Sequence, residues 1–164
     1  MDFTGILIPA NAEVDASKIE FDGEDLPTVQ QLVGGDLQTM ELPGAEAALW
    51  FNESGKSDEL AVNYRATFLF WLYRPEFMRV GDLLVGDVLV VGLPSDHYDM
   101  DDVPEELATL LFDVDHYQVT WQFKGKTERN NQTIVFTDWP TAFEYACQMQ
   151  HRNRNIEEVR VIPA

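Results

Sequence analysis

The residues able to do chemistry are few and scattered. His97, His116 and His151 fall in separate stretches, and no two share the short spacing of paired metal ligands. The one cysteine, Cys147, stands four residues after Phe143. At helical spacing that places the thiol on an apolar face and predicts an inert buried group rather than a nucleophile. Ser54 lacks the flanking glycines of a nucleophile elbow. Gly55-Lys56-Ser57 has the form of the end of a phosphate-binding loop, but Trp50 stands where that loop needs its first glycine. The expectation is therefore a non-enzymatic protein, with no cofactor and no bound metal.

Two charge clusters are the candidate binding surfaces. Asp96, Asp99, Asp101, Asp102, Glu105 and Glu106 crowd into one acidic segment beside His97. Carboxylates this dense can hold calcium, but the central glycine of a calcium-hand loop is missing. A solvated loop with helix-capping acids is the plain reading. The sharper one is an acidic face that meets a basic protein surface, including one that normally holds DNA. The second cluster is basic: Lys124, Lys126, Arg129, Arg152 and Arg154. With Trp121 or Trp139 as a stacking surface it could hold a phosphate or a small nucleotide ligand, against the alternative of ordinary surface charge.

The whole chain is strongly acidic. Its 29 Asp and Glu against 11 Lys and Arg give a net charge of −18. Residues 1–115 carry 24 acids and five bases, net −19, while residues 116–164 carry five and six, net +1. Such a body repels nucleic acid and anionic membrane, so no direct nucleic-acid binding is expected. The longest apolar run, residues 66–73, falls short of the roughly 20 residues a membrane helix needs. Residues 1–10 have neither the basic start nor the apolar core of a secretory signal. A lone cysteine excludes an internal disulfide and fits a reducing cytoplasm.

Placing these residues requires the elements. Residues 3–9 read as a short, mostly apolar strand, and 17–21 as a half-exposed one with Ile19 and Phe21 on one face. Asp25 and Pro27 open a helix that Gly34-Gly35 closes. Strands over 36–42 and 45–51 follow, separated by Pro43-Gly44. Residues 63–73 read as a helix, 87–92 as a buried strand and 104–112 as a helix capped by Asp102. From Tyr117 the residues alternate apolar and polar up to Lys124, predicting a strand, with a return strand at 133–136. Asp138 caps a helix to about Gln150, and 156–162 is the last strand. The expected fold is α+β: a mixed sheet with short helices over 1–115, then a β-hairpin, helix and strand over 116–164 packed on it.

One set of motifs carries a resemblance. Gln31-Leu32-Val33-Gly34-Gly35, Glu41-Leu42-Pro43, Leu49-Trp50-Phe51-Asn52-Glu53 and Gly55-Lys56 are followed by Asn63-Tyr64-Arg65-Ala66-Thr67 and by residues 85–92, Val-Gly-Asp-Val-Leu-Val-Val-Gly. Over residues 3–112 the chain resembles a domain-of-unknown-function family common on phages and plasmids of actinobacteria and other Gram-positive bacteria. The resemblance implies a small α+β protein of a mobile element, acting in the bacterial cytoplasm. It transfers no functional residue. With the charge it suggests an accessory protein that binds a host protein with a basic surface, as a DNA-mimic-like inhibitor of a defence or DNA-handling factor. The alternative is a small-ligand protein that sequesters a nucleotide signal.

Overall fold

The structure, a computed structural model, describes residues 1–164. The fold is α+β, as expected. The elements are β1 (Asp2–Ile8), β2 (Ser17–Asp22), α1 (Leu26–Val33), β3 (Leu37–Leu42), β4 (Ala47–Asn52), α2 (Tyr64–Tyr73) and α3 (Pro75–Arg79). They continue with β5 (Val88–Gly92), α4 (Glu105–Phe112), β6 (Tyr117–Phe123), β7 (Arg129–Asn131), α5 (Trp139–Arg152) and β8 (Ile156–Pro163). Two compact units emerge, and neither is a single consecutive piece of chain. Unit 1 holds residues 1–67 and 83–108; unit 2 holds 68–82 and 109–164. Both α2 and α4 therefore run from one unit into the other.

Unit 1 is built on a five-stranded sheet in the order β2-β1-β5-β4-β3. The expected mixed sheet is corrected: every pairing is antiparallel. A single crossover helix returns a chain parallel to the strand it left. Between β4 and β5 the chain instead passes through two helices, and it re-enters the sheet antiparallel to β4. Central β5 is buried at all five positions. Its alternate residues serve opposite faces, which is why Val-Leu-Val-Val reads as an unbroken apolar run. Leu89 and Val91 join Phe3, Phe21, Val29, Val33, Ala48 and Met100 in one core, under α1. Val88 and Val90 lie on the other face with Ile6, Ile8 and Leu49, all fully buried. Gly34 takes the left-handed φ of 80° that ends α1.

Unit 2 carries a three-stranded antiparallel sheet, β7-β6-β8, with α5 packed on β6 and β8. The Asp138 carboxylate caps α5 by accepting from the Thr141 amide at 2.8 Å. Trp139, Ala142, Phe143, Ala146 and Cys147 form its buried face at helical spacing.

Three local expectations are corrected. The return strand of the hairpin is Arg129–Asn131, where a turn at Gly125 (φ 74°) brings Arg129 opposite Gln122; of the expected 133–136 only Phe136 pairs, in a bridge to Tyr117. The Arg129 guanidinium then donates to Thr120 Oγ1 at 3.0 Å and Gln122 Oε1 at 3.4 Å. Polar cross-strand bonds fix this register, and the apolar pair Ile134 and Val135 stays exposed. Asp25 makes no capping bond to α1; its carboxylate accepts from the Thr28 hydroxyl at 2.5 Å. Asp102 does not cap α4. Its carboxylate accepts from the Thr4 amide at 2.7 Å and ties the acidic segment to β1.

Candidate functional site

The acidic segment leaves β5 and returns to it. The Gly92 amide donates to the Asp101 carbonyl at 2.8 Å, and Val103 N donates to Thr4 O at 2.9 Å. Met100 and Val103 point inward and are buried, and the Tyr98 ring meets Phe3 edge-on at 5.5 Å. The apolar residues anchor the segment, so its acids face water. Asp96, Asp99, Asp101, Asp102, Glu105 and Glu106 are all exposed. None forms an ion pair, and no three His, Cys, Asp or Glu side chains gather into a metal-holding group. Five of the six are free of backbone-pinning duty to another strand; Asp102 is not.

The Asn63-Tyr64-Arg65-Ala66-Thr67 motif resolves into a set of staples. Buried Asn63 donates through Nδ2 to Ile8 O at 2.8 Å and Gly86 O at 2.9 Å, and its Oδ1 accepts from Ala66 N at 3.1 Å. The Arg65 guanidinium donates to the carbonyls of Pro9, Asn11 and Val14 at 2.7, 3.2 and 2.8 Å. The Thr67 hydroxyl donates to Asn63 O at 2.6 Å and accepts from Leu84 N at 3.0 Å. Asp87 of the second motif accepts from Ala10 N at 2.9 Å. Most of these bonds satisfy backbone groups where the chain leaves β1 and enters β5. They hold a scaffold and leave no reactive group over.

The basic residues do not come together as a set. Arg129 is bound to β6 and lies 3.7 Å from Glu158. Trp139 is buried edge-on against Phe143 at 5.7 Å. Trp121 is half-buried on β6. Lys124 and Arg154 do meet, on a cleft of about 540 Å³ within unit 2. There they are joined by Arg79 from the end of α3 and by His151 from the last turn of α5. Lys126, Arg129, Arg152, Trp121 and Trp139 do not line it. Arg79 and His151 carried no signal in the sequence: Arg79 closes a five-residue helix far upstream of Lys124, and only the packing of α3 on α5 brings them to one place.

Residues 3–116 match a family described as a domain of unknown function (DUF3846). The chain belongs to this family. No curated protein and no solved structure matches it. The DUF3846 match covers the stretch over which the motifs resemble such a family. It takes in unit 1 from Phe3 onward, and residues 68–82 and 109–116 of unit 2. The motif staples and the acidic segment thus lie inside the DUF3846 region. Of the cleft's cations, only Arg79 does.

The remaining nucleophile of this DUF3846 protein is closed off. Cys147 is buried on α5, and its Sγ–H donates to Phe68 O at 3.3 Å. Burial first, and the nearby Glu144 carboxylate second, push the thiol up to about 12. Thiolate is the reactive form, so Cys147 should react with an aromatic disulfide reagent at pH 8 on the order of a thousand-fold more slowly than in urea. The release of chromophore in each condition measures this. Prompt labelling of the folded protein would mean that the thiol is exposed.

Proposed function

We propose that this is a non-enzymatic accessory protein of a phage or other mobile element, acting in the bacterial cytoplasm, that binds a basic host protein through the acidic face of unit 1. The supporting observation is how unevenly charge divides between the units. Unit 1 carries 20 Asp and Glu against Lys18, Lys56 and Arg65, net −17; unit 2 carries nine acids against eight bases, net −1. Charge of one sign at this density repels itself and weakens the compact state. The Met1 amino group pairs with Asp22 and Glu24 and Arg65 is committed to three carbonyls, while the six acids of the 96–106 segment make no ion pair. Such a surface steers a cationic partner from a distance and turns nucleic acid away. In its sharpest form it stands in for the phosphates of DNA on a defence or DNA-handling factor. The phage and plasmid setting comes from the family resemblance.

The test is a pull-down from host lysate at about 50 and about 300 mM salt, either side of a Debye length of roughly 10 Å. The comparison variant carries Asp96→Asn, Asp99→Asn, Glu105→Gln and Glu106→Gln. Asp102 is left intact because it bonds to the Thr4 amide. A basic protein, identified by mass, should be retained at low salt, lost at high salt, and held about ten-fold less by the variant. Retention that is indifferent to both salt and the variant would remove this surface as the contact.

A further inference from the structure

We propose that the cleft within unit 2 is a binding site for a phosphate-bearing small molecule of mononucleotide size. The chain has 29 acids and 11 Lys and Arg, yet Arg79, Lys124 and Arg154 gather here with His151, and Glu157 is the one carboxylate that lines the cleft. The three cations are also free of close pairing, with Glu76 acting on Arg79 only at a distance. Arg65, Arg74, Arg129 and Arg160 each hold a carbonyl or an acidic partner, whereas Arg79, Lys124 and Arg154 form no ion pair and no side-chain hydrogen bond. Helix ends attract cations at their carbonyl termini. That accounts for Arg79 and His151, which close α3 and α5, but not for Lys124 in the turn after β6 or Arg154 beyond α5.

A second observation comes from Gln150, which also lines the cleft. Its Oε1 is a buried acceptor with no donor. Buried polar atoms are nearly always paired, and an unpaired one calls for a partner. A turn of the amide toward the cleft would let a hydroxyl or amino group of the same ligand supply it. Pro75, Met78 and Ile156 add an apolar wall for the uncharged part of the molecule. The volume of about 540 Å³ lies within the roughly 300–1,000 Å³ of small-molecule pockets and exceeds what a bare phosphate needs. Arg79 and Arg154 would grip phosphate oxygens in the paired geometry guanidinium allows, and Lys124 would act as a point charge.

The experiment is calorimetric titration of the full chain with inorganic phosphate and with adenosine 5′-monophosphate, using wild type, Arg79→Ala/Arg154→Ala and Gln150→Leu. Both arginines are exposed, so the double variant keeps the fold, checked by its unfolding midpoint. The mononucleotide should bind wild type at least about ten-fold tighter than phosphate, and the double variant about ten-fold or more weaker than wild type. Gln150→Leu should weaken the nucleotide and leave phosphate unchanged. No saturable binding of either probe by wild type, equal affinity for the two, or equal binding by folded wild type and double variant overturns the proposal. The unit 1 neutralising variant should bind as wild type does, so this result and the host-protein reading fail independently.

Discussion

Asn63→Leu is expected to lower the unfolding free energy by about 3–5 kcal/mol, a large share of the roughly 5–15 kcal/mol that holds a domain folded. The size follows from what the amide serves. It donates to Ile8 O at the end of β1 and to Gly86 O just before β5, and its oxygen caps the first turn of α2 at Ala66 N. Leucine has the same branching but bulkier methyl groups and no polar atom, so three buried backbone groups lose a partner and the site is also overpacked. Each orphaned group costs about 1–3 kcal/mol, and a lost cap about 1 kcal/mol. Urea unfolding followed by tryptophan fluorescence measures the loss. Asn63→Asp retains the capping oxygen but sets a buried carboxylate against the Ile8 and Gly86 carbonyls, so it should be strongly destabilised as well. A Leu variant within about 1 kcal/mol of wild type would mean that these groups find other donors.

Gly92→Ala should cost about 3 kcal/mol, for a different reason. The backbone of Gly92 is ordinary, but a Cβ there would run into the Asp102 carbonyl oxygen and lie 3.1 Å from the Asp101 carbonyl carbon. Both neighbours are main chain, so no side-chain rotation makes room. Relief means breaking the Gly92–Asp101 bridge, with its 2.8 Å bond, or bending β5 at the centre of the sheet. Gly34→Ala is the contrast. That position strains the backbone at φ 80° but has nothing within 4 Å, so the cost should stay near 1 kcal/mol. Equilibrium unfolding of the two variants, with amide exchange at positions 92 and 101, tests the ranking. A Gly92→Ala chain that unfolds like wild type and keeps both amides protected would show that the segment after Asp101 yields freely. The same substitution would also move the base of the acidic segment.

These two residues explain what the family motifs are. Asn63, Arg65, Thr67, Asp87 and Gly92 look, as letters, like a polar site. In the structure every polar one of them holds backbone, and the glycine admits a crossing chain. In this chain the motif residues hold a difficult piece of folding together.

Signals in the chain are legible where they arise from local physics. The Gly34 cap, the Asp138 cap, the buried Val-Leu-Val-Val strand and the alternation after Tyr117 depend on neighbours a few residues away. The corrected expectations share the opposite cause. Thr133–Phe136 reads as a strand because it is apolar, but Arg129 reaching Thr120 and Gln122 decides the pairing, and side-chain bonds across a hairpin leave no periodicity. Asp102 sits where a helix cap should be, yet the Thr4 amide, brought near by the sheet, takes its carboxylate. The same holds for the candidate sites. That residues 96–106 are acidic is written in the sequence; that Met100 and Val103 turn inward, so that all six acids face water, is a result of packing.

Composition, short-range periodicity and motif order thus suffice for the α+β class, the family and the strongly negative charge. Three outcomes needed the folded chain: that the larger sheet is antiparallel, that a charge of −17 sits on one unit, and that Arg79, Lys124, His151 and Arg154 share a cleft. They rest on long-range pairing, where the energy of a contact depends on which distant residue the fold brings opposite, and a linear pattern holds no record of it.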